Sequence, residues 1–210
     1  MAKLVQPYQI AIPKKLVKKI GFKSENKNDK ADILSIKVEP TVFPNIYFET
    51  VMQEKGKMQV YSFGGIGLIY LSNINTQLFG HNKLKYGPVF DYYQSILWNK
   101  FDVGTRWVYA YQRKNQVGID NFHTEIYDNS YRDCMVTDKI KGTVLHQNIS
   151  GAAFKMLCHT TTNAVVNSNE IIYLEDYQYF INSANYMEYQ EDGEQYRIDS
   201  FRLVINEFED

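Results

Sequence analysis

The chain has 210 residues, 44% of them hydrophobic, enough for one domain with its own core. Its 15% aromatic share, carried mainly by 17 Tyr and 12 Phe, suits pleated, half-buried sheet surfaces. No apolar run reaches the length of a membrane span, and no apolar stretch follows the first charge as in a secretory leader, so a soluble chain made in the cytosol is expected.

The net charge of −1 hides an asymmetry. Residues 1–30 hold eight lysines (Lys3, Lys14, Lys15, Lys18, Lys19, Lys23, Lys27, Lys30) against Glu25 and Asp29, a charge of +6. The remainder carries 15 basic and 22 acidic residues, a charge of −7, with much of the excess after Tyr186. A basic arm on an acidic body points to two surfaces with different partners.

In chain order, Lys14 to Phe22 reads as a short basic amphipathic helix. Pro13 suits its first position, Leu16, Val17 and Ile20 share one face, and Gly21 stops it. Ser24 to Asp32 is polar and reads as a linker. The expected division is therefore an arm and linker over residues 1–30 and a folded body over residues 31–210. Ile33 to Val38 alternates, with Leu34, Ile36 and Val38 on one parity, and predicts a half-buried strand. Ile46–Gln53 and Met58–Phe63, joined by Glu54-Lys55-Gly56-Lys57, predict a hairpin. Gly64, Gly65 and Gly67 suggest a bulge or bend before Leu68–Leu71. Phe90-Asp91-Tyr92-Tyr93 reads as a helical turn leading into a strand. Trp107, Tyr109 and Tyr111 alternate, and short strands are expected at Cys134–Val136, Gly142–Leu145, Ala153–Cys158, Glu170–Leu174 and Gln178–Ile181. Phe201 to Phe208 closes the chain, with Phe201, Leu203 and Ile205 on one face. Many short strands with irregular loops predict an all-β sandwich or jelly roll.

No Gly-x-Ser-x-Gly, His-Glu-x-x-His or P-loop is present, and Gly64-Gly65-Ile66-Gly67 lacks the helix a phosphate cradle needs. The four histidines, His81, His123, His146 and His159, lack metal-ligand spacing, so neither a metal nor a cofactor is expected. Cys134 and Cys158 are too few for a disulfide framework and read as two half-buried reduced thiols. The basic arm suggests sequence-independent binding of single-stranded nucleic acid through Lys3, Lys14, Lys15, Lys18, Lys19 and Lys23, with Tyr8 and Phe22 available for stacking. A basic amphipathic helix equally suits an anionic membrane.

Tyr61-Ser62-Phe63, the loop Leu71-Ser72-Asn73-Ile74, the run Phe90-Asp91-Tyr92-Tyr93-Gln94-Ser95-Ile96-Leu97 and the strand Ser200-Phe201-Arg202-Leu203-Val204-Ile205 resemble the capsid proteins of small circular Rep-encoding single-stranded DNA viruses. The resemblance implies an all-β single jelly roll, an eight-stranded two-sheet sandwich behind a short basic N-terminal arm. It implies a non-enzymatic structural protein forming an icosahedral shell of roughly sixty copies. Its partners would be further copies of itself, single-stranded DNA or RNA on the lysine arm, and a host receptor. Its place would be the virion, after synthesis in the host cytoplasm and assembly in the nucleus. Two features depart from the family: the arm is Lys-based and modest, and the chain is slightly acidic. Two rivals stand beside this reading. One is a β-sandwich carbohydrate-binding module or lectin that stacks exposed Tyr and Trp on sugars. The other is a jelly-roll enzyme with a pair of carboxylates.

Overall fold

A computed structural model describes residues 13–25, 33–42, 46–53, 56–63, 69–75, 90–92, 101–119, 122–162, 165–191 and 194–210. Alternating apolar and polar residues place most of them in twelve strands: β1 (Lys19–Ser24), β2 (Ile33–Pro40), β3 (Ile46–Gln53), β4 (Gly56–Phe63), β5 (Ile69–Asn75), β6 (Phe90–Tyr92), β7 (Arg106–Ile119), β8 (Phe122–Lys141), β9 (Ala152–Thr162), β10 (Val165–Leu174), β11 (Tyr179–Glu191) and β12 (Glu194–Glu209). The described residues are nearly all β, as the composition predicts. No helix among the described residues is long and apolar enough to cross a membrane.

The strands lie in the order β5-β4-β3-β2-β1-β12-β11-β10-β9-β8-β7-β6, and every pair of neighbours is antiparallel. All neighbours except β1 and β12 are also consecutive in sequence. β12 is the shared strand. Its first part pairs with β11 as far as Arg202, and its last part, from Leu203, pairs with β1. A strand that changes partners along its length turns a corner between two packed halves of sheet.

The halves meet in one core. Ile20, Phe22, Ile36, Val38, Tyr47 and Val51 from β1–β3 pack with Ala153, Ile172, Leu174, Tyr179 and Ile181 from β9–β11, and with Leu203, Ile205 and Phe208 of β12. Tyr47 and Tyr179 meet edge to face at 5.5 Å between ring centroids, although four other strand boundaries separate β3 from β11 in the sheet order. This contact shows how tightly the sheet curls. β9–β11 are buried on both faces: Phe154, Met156, Ile171, Tyr173 and Phe180 form a second apolar layer, and Phe101 stacks on Tyr173 at 3.9 Å.

Several expectations are corrected. Lys14 to Phe22 is not a helix. Residues 13–18 are irregular and β1 follows, because nine residues make a marginal helix alone while β2 and β12 supply hydrogen bonds on both sides. The boundary between residues 1–30 and 31–210 does not divide arm from body, since β1 lies within the sheet. Phe90–Tyr92 is a strand. Gly142–Val144 is a 3-10 turn rather than a strand, and a Cβ on Gly142 would lie 2.5 Å from Ile149 Cγ2. Leu34 is 46% exposed while Ile36 and Val38 are buried, because the pairing slips between Ile33 and Ser35. Cys134 and Cys158, expected to be reduced, are joined as a disulfide between directly opposed positions of β8 and β9. Gly64, Gly65, Gly67, His81 and most of the expected linker lie outside the described residues.

Candidate functional site

Of the six lysines expected to bind nucleic acid, the fold sets Lys14 against Asp176 and Lys15, Lys18 and Lys19 against the acidic end of the chain. Backbone bonds dock the segment first: Lys15 N–H donates to Asp176 O at 3.1 Å, Lys18 N–H to Glu209 O at 2.9 Å, and Val38 N–H to Lys18 O at 2.8 Å. Val17 and Ile20 enter the core from it. The ammonium groups then find partners. Lys14 Nζ donates to Asp176 Oδ1 at 2.9 Å, Lys15 Nζ to Asp210 Oδ2 at 2.7 Å and Lys18 Nζ to the Asp210 carbonyl at 2.8 Å. Lys19 Nζ donates to Glu207 Oε1 at 2.8 Å and lies 4.0 Å from Glu209. Gly21 stands opposite Glu207 across a β-bulge, where a Cβ would come within 2.8 Å of Glu207 Cβ. Lys23 is exposed on β1. Lys3 lies outside the described residues.

Tyr177 anchors this clasp. Its ring is fully buried and meets Phe208 edge to face at 5.1 Å. Its hydroxyl donates to Asp210 Oδ2 at 3.0 Å and accepts from Ser150 N–H at 3.3 Å. Ser150 Oγ donates to Asp176 Oδ2 at 3.1 Å, and Asn148 Nδ2 donates to the Phe208 carbonyl at 3.1 Å. Gly151 adopts a positive φ of 72° beside the Asp176 carboxylate, where a side chain would collide with it. Hydrogen bonds from Lys14 hold the Asp176 carboxyl below its ordinary range, and those from Lys15 and then Tyr177 do the same for Asp210. The same bonds push the ammonium groups of Lys14 and Lys15 up, and the bond to Glu207 does so for Lys19. The cluster thus fastens together the segment before β1, the end of β12, the loop before β9 and the loop before β11. Four of the six predicted phosphate-binding lysines are engaged by acidic residues or the chain's own carbonyl.

Two polar groups in the sheet went unread in the sequence. Glu49 is fully buried between the halves and accepts a hydrogen bond from the Tyr179 hydroxyl. Desolvation, with Glu49 adding to it, pushes the Tyr47 hydroxyl up to about 12. The other is a row across β7–β10. Arg106 makes a two-pronged ion pair with Asp133, whose carboxyl it holds below the usual range. Asp133 stands opposite His159 in the register, and His159 stands opposite Ser168. His159 Nδ1 and Ser168 Oγ are 2.8 Å apart. A carboxylate, an imidazole and a hydroxyl in sequence can activate a nucleophile, but Ser168 has no exposed surface at which to meet a substrate. The row ties strands together. No sequence signal marks either group, because each is made of residues from different strands. Among the described residues no three His, Cys, Asp or Glu side chains converge as metal ligands would.

No family model matches the chain, and no curated protein and no solved structure matches it.

Proposed function

We propose that the chain is a structural subunit that self-associates into a closed shell, the role implied by its resemblance to the capsid proteins of small circular single-stranded DNA viruses. The observation that carries this reading is the ribbon made by β7 and β8. These strands pair continuously from Arg106↔Met135 to Ile119↔Phe122. Among the described residues, β9 joins β8 only from Ser130, and β6 joins β7 only at residues 111–113. Residues 122–129 therefore run beyond β9 by roughly 25 Å at the rise of a strand. A two-stranded ribbon is marginal alone in water, and pairing with another copy would complete it.

Two packed halves of antiparallel sheet also support a sandwich of the jelly-roll kind. A jelly roll, however, sets non-consecutive strands side by side through Greek keys, and here β1 and β12 alone do so among the described strands. The proposal retains the two-layered shell subunit with the strand order as observed. It gives the lysines no genome-binding role, because Lys14, Lys15, Lys18 and Lys19 are engaged within the chain.

Light scattering and electron microscopy of the purified chain test the reading. Roughly sixty copies of a 24.6 kDa chain give closed particles of roughly 1.5 MDa. A monomer that persists at high concentration across salt and pH would overturn it.

A further inference from the structure

We infer that the chain completes its fold in an oxidising compartment, and that the finished fold then shields the Cys134–Cys158 bond from reductants. This inference stands apart from the shell reading. The two cysteines sit opposite each other on β8 and β9 and are bonded. Cys134 is 1% exposed and Cys158 is 0% exposed. Val136, Met156 and Ile171 share their face of the sheet and are equally buried. Apolar burial disfavours the thiolate, the form that attacks, and thiol–disulfide exchange also requires the attacking sulfur to reach its target. In the packed protein neither condition is met. The bond is therefore made before β8 and β9 pack shut, and it is broken when they open.

The oxidant is a disulfide, either that of an oxidoreductase or a small-molecule disulfide. One cysteine thiolate attacks it, forming a mixed disulfide and releasing the oxidant's first thiolate. The second cysteine thiolate then attacks the mixed disulfide at the chain's own sulfur. That step closes Cys134–Cys158 and releases the second thiolate. Two electrons pass to the oxidant, and the two protons of the cysteine thiols go to solvent or to the released thiolates. A compartment that supplies such an oxidant during folding is a secretory lumen, a periplasm or the cell exterior, not a reducing cytosol. The cytosolic synthesis expected from composition is replaced by this assignment.

The test is to produce the full chain once through an oxidising secretory compartment and once in a reducing cytosol. Each preparation is denatured in an alkylating reagent, and the intact mass is measured. The secreted protein is expected to be about 2 Da below the reduced mass and to carry no alkyl group. The cytosolic protein is expected to carry two. In native secreted protein, the bond should be lost far more slowly than in denatured protein at the same glutathione concentration, because the sheet must open before glutathione can attack. After denaturation, the rate should rise in proportion to glutathione. Two alkyl groups on the secreted protein would overturn the bond, and a fully bonded cytosolic protein would overturn the compartment. A native rate equal to that of the denatured protein at the same glutathione concentration would overturn the shielding.

Discussion

β8 and β12 are the two longest strands, at 20 and 16 residues, and they are used in opposite ways. β12 has a neighbour on one side or the other along nearly its whole length, first β11 and then β1, and its Leu203, Ile205 and Phe208 join the core between the halves. Among the described residues, β8 has neighbours on both sides only from Ser130 onward, and its first residues pair with β7 alone. Length therefore does not measure how much a strand contributes to the fold. What matters is whether other strands come back to cover it. β12 is a corner that holds two halves together, and β8 is anchored at one end and extends away at the other.

Substitution in the corner should have the largest effect on stability. Phe208 is 1% exposed and packed against Tyr177, so Phe208→Ala should cost about 3–5 kcal/mol, read from urea denaturation. A loss below about 1 kcal/mol would mean that the corner is not a core element. Next comes the turn beneath the clasp. Gly151→Ala introduces a side chain at a positive φ, against the Asp176 carboxylate, and should cost about 1–3 kcal/mol, seen as a lower thermal midpoint.

Excision of the ribbon sharpens the contrast. Removing residues 114–127 and joining Arg113 to Asp128 through Asn-Gly should leave stability within about 1 kcal/mol of the parent, because among the described strands these residues pair only with one another, while abolishing particles in electron microscopy. A trimmed chain that still builds particles would take the ribbon out of assembly. Full unfolding of the trimmed chain would place the ribbon within the core.

The smallest effect belongs to the exposed ion pairs of the clasp, which are screened by water. The carboxyls of Asp176 and Asp210 are lowered in the fold, so their contribution is present above the ordinary carboxyl value of about 3.9. It is lost as pH falls through their lower folded values. The ammonium groups of Lys14 and Lys15 are raised, so their contribution is present below about 10.4 and is lost as pH rises past their folded values. The clasp is therefore intact throughout the neutral range. Between pH 5 and pH 2, Asp176→Asn with Asp210→Asn should lose less stability than the parent, as measured by denaturation midpoints. Parallel losses would show that the clasp contributes nothing.

The sequence by itself determined the β class and the positions of the strands whose alternation is local. Ile33–Val38, Ile46–Gln53 and Met58–Phe63 were legible because a period of two can be read within a few residues, and Phe201–Phe208 was legible in the same way. The longer hairpins were not, because residues 112–133 and 182–200 mix polar groups on both parities and are held by register rather than by a continuous apolar face. Tertiary structure decided the rest. Lys14 to Phe22 has a helical pattern, yet it becomes an irregular segment and a strand because β12 returns beside it; Lys19 meets Glu207 across 188 positions of sequence. With the partners of Lys14, Lys15 and Lys18, that pairing sets half of the eight lysines of the basic run against acidic residues or a carbonyl of the same chain. The Cys134–Cys158 bond, the burial of Glu49 beneath Tyr179 and the Asp133–His159–Ser168 row have the same origin. The bond and the row depend on which residues the register sets opposite one another, and Glu49 with Tyr179 on how the two halves of the sheet pack; neither is a property of any one segment.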